Sequence, residues 1–358
     1  MAQYRDTYAL IRLDHLKDNV SLLYDKVKKP MMAIIKANAY GCGYQQVAEV
    51  LKDDEHISMF CVATLKEAID LRQSGIEKDI LVLGAIPLED LDMVIEYDIS
   101  LTLYSKEYLQ EIIYLFHHSK PVKVHIKIDT GMNRLGFKTK EEFEDILSMC
   151  PPHIFQIDGV FTHFATADDP MQDDAYFQQL DKFKEIIKGH SFQYIHCQNS
   201  ASMMYHDATP SNTTRIGIAM YGVDPAGEES NQLKQVMSLY TKVAMVKKVK
   251  KGEHIGYGYT YQCEEDEYIA TLPIGYADGF IRANQGRHVY IQGKEYPIVG
   301  RVCMDQMMVK VDETIKVHDC VEIFGEHITL ARMAKELHTI PYEIMCLVSD
   351  RVERIYQK

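Results

Sequence analysis

The stretch Pro30-Met-Met-Ala-Ile-Ile-Lys-Ala-Asn-Ala-Tyr-Gly-Cys-Gly43 sets the architecture of the chain. Met31 to Ile35 is an unbroken apolar run, as expected of a short strand buried on both faces, and Lys36 stands at its exit. A glycine-containing turn (Gly41, Gly43) follows, and the apolar period from Gln45 to Leu51 predicts a helix. A strand that ends in a lysine and feeds a turn and a helix has the layout of a strand–helix barrel, which keeps its chemistry at the C-terminal strand ends. Apolar walls there disfavour the ammonium form and leave an amine able to form a Schiff base. By position alone, a solvated surface lysine fits as well.

The same rhythm extends in both directions. Upstream, Tyr8 to Leu13 alternates like a strand, and Asp14 reads as the N-cap of a helix running to about Lys28. Downstream, predicted strands at Ser58–Ala63, Ile80–Gly84, Ile99–Tyr104, Val122–Ile128, Ile157–Thr162, Gln193–His196 and Arg215–Tyr221 alternate with helical patterns such as Leu65–Gln73, Lys106–His117 and Asp174–Lys188. With the lysine strand these make eight, which predicts a (β/α)₈ TIM-type barrel over residues 1–225. A doubly wound sheet would give a similar rhythm. The first strand, about residues 7–13, is free to pack with a second domain. After Gly222 the texture changes: Pro225-Ala-Gly-Glu-Glu-Ser-Asn231 is a polar linker. Beyond it, short alternating runs (Leu239–Lys248, Glu267–Pro273, Arg287–Ile291, Tyr296–Met304, Met307–Val311, Cys320–Phe324) predict a mostly β domain over 232–358, with a helix near Leu330–Leu337.

Composition narrows the function. The 358 residues are 46% apolar and 25% charged, ordinary for a soluble globular protein. A formal net charge of −13 argues against nucleic acid or an anionic membrane as partner, so an anionic ligand must be held by local donors. The eight cysteines show no metal-ligand spacing and read as reduced core residues of a cytoplasmic protein. No metal site is expected.

The wording around Lys36, Ile35-Lys-Ala-Asn-Ala-Tyr-Gly-x-Gly43, resembles the pyridoxal-phosphate lysine motif of bacterial alanine racemases. The resemblance implies that Lys36 carries pyridoxal 5'-phosphate as a Schiff base and that Tyr40 hydrogen-bonds its phosphate. Cys42 departs from it, since the family usually has histidine there. Lys127-Ile-Asp-Thr-Gly-Met-Asn-Arg-Leu-Gly136 also resembles the family, in which Arg134 contacts the cofactor's phenolic oxygen and the substrate carboxylate. Lys127 matches a lysine that many members carry as a carbamate. In Phe161-Thr-His-Phe-Ala-Thr-Ala-Asp168 the resemblance lays His163 against the pyridine ring, in contact with Arg215. Asn199, Ser200, Gly217 and Ile218 match the phosphate-binding loops, and Arg215 matches the arginine on the pyridine nitrogen. A permanently protonated arginine can only donate to an unprotonated ring nitrogen.

In the second domain, Ile255-Gly-Tyr-Gly-Tyr-Thr-Tyr261 reads by itself as aromatic packing, and the resemblance implies that Tyr257 is the second catalytic base, supplied across a homodimer interface. Racemisation needs one acid–base group on each face of a planar carbon, here Lys36 and Tyr257. The resemblance also implies that Met304, in Gly300-Arg-Val-Cys-Met-Asp-Gln306, offers its backbone N–H to the substrate carboxylate and that Tyr276 narrows the access channel. Asp168, His196, Arg282 and Arg301 match an outer polar gate; solvated rim charges read equally well. Near the end, Asp350 and Glu353 depart from the family pattern, which leaves substrate breadth open towards serine. The implied reaction is L-alanine to D-alanine for the bacterial cell wall. The alternatives are a racemase for another amino acid, a related decarboxylase, which Arg215 speaks against, and a non-enzymatic pyridoxal-phosphate carrier, which would lack the second domain.

Overall fold

The computed structural model describes residues 5–207, 209–229 and 232–358, so Ser230 and Asn231 of the predicted linker lie outside the described residues. The chain divides into two compact units. One holds Asn19–Ala39 and Tyr44–Met220; the other holds the residues up to Asp18, Tyr40–Gly43 and Tyr221–Lys358. No described helix is long and apolar enough to cross a membrane.

The first unit is built on eight parallel strands: Met31–Ile34, Ile57–Val62, Asp79–Val82, Ser100–Leu103, Val122–Lys127, Phe155–Phe161, Tyr194–His196 and Thr214–Ile216. Each lies beside the next in sequence from Met31–Ile34 to Tyr194–His196, and Thr214–Ile216 returns to pair with Met31–Ile34. The remaining seam is bridged by Asn212 N–H to Ile195 O (3.0 Å) and Arg215 N–H to Gln198 O (3.1 Å). The sheet therefore closes into a barrel. Both faces are covered, so Met31–Ile34 and Ser100–Leu103 are buried at every position.

Local chemistry sets where these elements begin and end. Helix Leu65–Gln73 starts on a capping box, in which Thr64 accepts from Glu67 N–H while the Glu67 carboxylate accepts from Thr64 N–H. Helix Lys140–Met149 repeats the device with Thr139 and Glu142. Helix Leu13–Val27 starts one residue before the expected cap, leaving Asp14 in its first turn and paired with Arg12 at 2.6 Å. The last barrel strand stops at Ile216, not Tyr221, and Ile218–Tyr221 is a 3₁₀ turn. The reason is local: Gly217 N–H turns out of the ladder to donate to Ser200 Oγ at 2.9 Å.

The turn after the lysine strand also differs from expectation. It begins before either glycine, with Ala37, Asn38, Ala39 and Tyr40 all in the left-handed region at φ of 52 to 54°. For L-residues this costs roughly 1–2 kcal/mol each, so surrounding contacts must hold it.

The second unit carries a nine-stranded sheet. Its order is Met245–Val249, Glu267–Leu272, Met307–Val311, Lys294–Val299, His288–Ile291, Cys320–Phe324, Met237–Lys242, Tyr8–Arg12, Glu353–Gln357. Tyr8–Arg12 is antiparallel to Met237–Lys242 and parallel to Glu353–Gln357. The single strand expected over Leu239–Lys248 is two strands, because the backbone changes partner between them: Val243 N–H donates to Asp319 O and Ala244 N–H to Thr271 O. The strand expected to reach Met304 ends at Val299. Gly300 follows at φ +67°, with Ile255 O only 2.7 Å from where a Cβ would stand. Helix Pro341–Leu347 was not expected from the sequence.

Candidate active site

Lys36, Lys127, His163, Asn199 and Arg215 all stand at or just past the C-terminal ends of barrel strands. Arg215 is the buried centre. One terminal nitrogen donates to Thr162 O (2.8 Å) and approaches His163 Nδ1 (3.2 Å); the other donates to His196 O and approaches His196 Nδ1 (3.1 Å). Its face lies over the Phe161 ring, 5.5 Å from the centroid. Burial lowers its pKa to about 10, so it stays protonated at neutral pH.

Arg215 also sets the protons beneath it. A guanidinium has no acceptor, so His196 Nδ1 accepts and the His196 proton sits on Nε2. That N–H donates to His125 Nδ1 at 2.8 Å, which puts the His125 proton on Nε2, a buried atom with no hydrogen-bond partner among the described residues. Desolvation pushes the His125 pKa down to about 3 and that of His196 well below the usual range, so both stay neutral. His163 is driven the same way, by desolvation first and then by the charges of Arg215, Arg134, Lys127 and Lys36. All four cations are thus felt at one imidazole.

The loop after Val122–Lys127 is shaped by Asp129, whose Oδ1 accepts from Gly131 N–H and Asn133 N–H, both at 3.0 Å. Its chain then returns beside Lys127, with Phe137 N–H on Lys127 O at 3.0 Å, and leaves Arg134 exposed. Gly136 sits at φ +116°, where a Cβ would stand 2.6 Å from Lys127 O. Gly136→Ala is expected to cost about 2–3 kcal/mol, read as a lower urea midpoint, because both the dihedral and the space exclude a methyl group.

Lys127 is buried, donates to Ile128 O at 2.6 Å, and has its pKa lowered to about 7 by desolvation and then by the Arg215 charge. The unfolded chain keeps this proton up to the ordinary 10.5, so between about 7 and 10.5 it holds more protons than the fold. Stability of the cofactor-free protein in CO₂-free buffer is therefore expected to rise with pH across that window. Lys127→Met should flatten the rise, measured as melting temperature against pH.

Two further loops meet at Ser200. Asn199 caps helix Ser200–Tyr205, its side chain accepting from Ser202 N–H at 2.9 Å, and Ser200 Oγ accepts from Gly217 N–H. This brings Asn199, Ser200 and Gly217 together, with Ile218 next in the chain.

In the other unit, Tyr257, Tyr276, Ile281, Arg282, Arg301, Val302 and Cys303 line an open cleft of about 610 Å³. Tyr257 is 71% exposed, and Tyr259, Tyr276 and Met304 are exposed too. Gly258 has φ +72°, and a Cβ there would stand 2.9 Å from an Arg301 terminal nitrogen, so that guanidinium packs against the Tyr257 turn. Tyr276 N–H and Ala277 N–H donate to Cys303 O and Met304 O, both at 3.0 Å, joining the Tyr276 and Met304 loops. Tyr40 packs here against Tyr221 and Tyr342, with ring centroids 4.8 and 5.9 Å away. Burial raises its pKa, so it remains a phenol and a donor.

Residues 11–225 match the family model described as "Alanine racemase, N-terminal domain", and residues 236–356 match "Alanine racemase, C-terminal domain". The chain belongs to the alanine racemase family. It is 40% identical to alanine racemase 1 of Bacillus subtilis (strain 168), over 99% of this chain and 93% of that protein. It is 38% identical to the alanine racemase of Streptococcus uberis, over 99% and 98%. Among solved structures, the alanine racemase from E. faecalis superposes with a TM-score of 0.95 at 38% identity, covering all of both chains. That from Bacillus anthracis with bound L-Ala-P gives 0.93 at 37%, covering 100% and 96%.

One alanine racemase feature expected from the sequence needs correcting. His196, assigned to an outer polar gate, is wholly buried beneath Arg215, because its side chain faces the interior at the end of Tyr194–His196. Asp168 and Arg282 are exposed. Asp350, which departs from the alanine racemase pattern, is 99% exposed, with Arg354 at 3.9 Å. Cys42 is fully buried. His125 and Asp129 escaped the sequence reading. His125 had a signal: a histidine among the apolar residues of a strand expected to be buried.

Proposed function

We propose that this protein is a cytoplasmic isomerase that interconverts L- and D-alanine with pyridoxal 5'-phosphate, working as a homodimer with shared sites and supplying D-alanine for the bacterial cell wall. The observation that carries the reading is the barrel-end cluster of Lys36, Lys127, Arg134 and Arg215, with neutral His163 among them. Among the described residues Arg215 pairs with no carboxylate. An anionic, ring-shaped cofactor suits such a pocket, and the donor set fits it. Lys36 would hold it covalently, Tyr40, Asn199, Ser200, Gly217 and Ile218 would hold its phosphate, and Arg215 would donate to its ring nitrogen. When bound, the cofactor supplies the electron sink that makes an α-proton labile.

The chain's own groups do the rest. Lys36 Nζ removes or returns the α-proton on one face, and Tyr257 Oη, from the partner subunit, serves the other. The Arg282 and Arg301 side chains share the Tyr257 cleft. Arg134 and the Met304 N–H orient the substrate carboxylate, while Tyr276 narrows the approach. Lys127, neutral above about pH 7, is an amine able to take up CO₂, and the resulting carbamate would give Arg134 an anionic partner.

The test is direct. Protein loaded with pyridoxal phosphate is offered L-alanine and L-serine separately in heavy water, and D-isomer and α-deuterium are followed by chiral chromatography and NMR. D-alanine with α-deuterium is expected. Faster turnover of serine would move the substrate assignment, and cofactor uptake without any exchange would favour a carrier.

A further inference from the structure

Glu67 uses both carboxylate oxygens on four backbone N–H groups. Oε2 accepts from Ala63 (2.9 Å) and Thr64 (3.2 Å), at the end of barrel strand Ile57–Val62 and the cap of helix Leu65–Gln73. Oε1 accepts from Ala37 (2.7 Å) and Asn38 (3.4 Å), the first two residues of the left-handed turn. The Ala37 N–H belongs to the peptide bond that leaves Lys36, so holding it restrains the backbone immediately after the lysine. The equivalent capping glutamate of helix Lys140–Met149, Glu142, works through Oε2 on Lys138 and Thr139. At Glu67 the second oxygen has a task that helix capping does not require.

The far side of the turn is tied to the same helix. Asn38 Oδ1 accepts from Tyr44 N–H at 3.2 Å, and Tyr44 Oη donates to Asp70 at 2.6 Å. Four L-residues in the left-handed region would relax to the right-handed side without outside acceptors, because no glycine among them lowers the cost.

We propose that Glu67 is a positioning residue for Lys36: its carboxylate holds the strained left-handed turn that aims the lysine amine at the cofactor. The role rests on Lys36 being the cofactor lysine of the proposed function. Glutamine caps helices as glutamate does, so Glu67→Gln keeps the cap and gives up one pair of acceptor contacts. Glu142→Gln is the matched control. The first readout is amide hydrogen exchange of cofactor-free protein. In Glu67→Gln the Ala37 and Asn38 amides should exchange about tenfold faster, the scale of one lost charge-assisted hydrogen bond. The second is the rate at which added pyridoxal phosphate becomes borohydride-fixed on Lys36, mapped by peptide mass. That rate should fall about tenfold in Glu67→Gln, stay at the wild-type value in Glu142→Gln, and recover when Ala37→Gly, which removes turn strain, is added. Should Glu67→Gln fail to fold, Glu67→Asp, too short to span both sets of donors, serves the same comparison.

Unchanged amide exchange in Glu67→Gln overturns the hold on the turn. Faster exchange with wild-type fixation overturns the positioning of Lys36. Wild-type protein that fixes no cofactor on Lys36 overturns the cofactor reading itself and this role with it, which the two variants cannot do.

Discussion

Lys36→Ala is expected to lower kcat for alanine racemisation by roughly 10³-fold or more, since one side chain both holds the cofactor and moves the proton on one face. Retained turnover in Lys36→Ala would retire the assignment.

Tyr257→Phe is expected to reduce racemisation by roughly 10²–10⁴-fold, the range for losing a general acid–base group. Tyr257 is mostly exposed, so deleting its hydroxyl should leave stability within about 0.5 kcal/mol of wild type. One face would still be served. In heavy water the variant should exchange the α-proton of one enantiomer without inverting it, and exchange of both enantiomers at equal rates would argue against a two-base division. Shared sites add a further check. Lys36→Ala and Tyr257→Phe subunits, each nearly inactive alone, should regain about a quarter of wild-type activity when reassorted at random, because half the two-fold dimers then carry one intact site. No recovery on mixing would place both groups in one subunit.

Much of this was legible in the sequence, and what was not has physical causes. Helices Leu65–Gln73 and Leu330–Leu337 appear with the expected bounds, because amphipathic period and cap residues agree there. The lysine strand was readable because Met31–Ile34 is apolar throughout, as suits a strand covered on both faces. Turns that depend on distant partners were not. Ala37-Asn-Ala-Tyr40 contains no glycine, and nothing in its local wording announces left-handed backbone; the acceptor that favours it lies 30 residues away, in Glu67. His196 was assigned to the rim by its match to the family pattern. Its burial follows from the direction a strand residue faces, and that is settled only when Arg215 and His125 pack around it.

The strand Tyr8–Arg12 has a consequence for how the chain is made. Its parallel neighbour is Glu353–Gln357, so Tyr8–Arg12 waits for a segment far downstream before its pairing is complete. At about 5–20 residues per second the wait is roughly 20–70 s. All eight barrel strands, by contrast, lie between Met31 and Ile216 and can pair while translation of the β unit continues. During that interval Tyr8–Arg12 lacks this partner while carrying Ala9 and Ile11, alternate residues that the fold buries, and such segments are the kind that chaperones shield and neighbouring nascent chains capture. Selection for efficient synthesis therefore bears on this strand separately from any selection for catalysis.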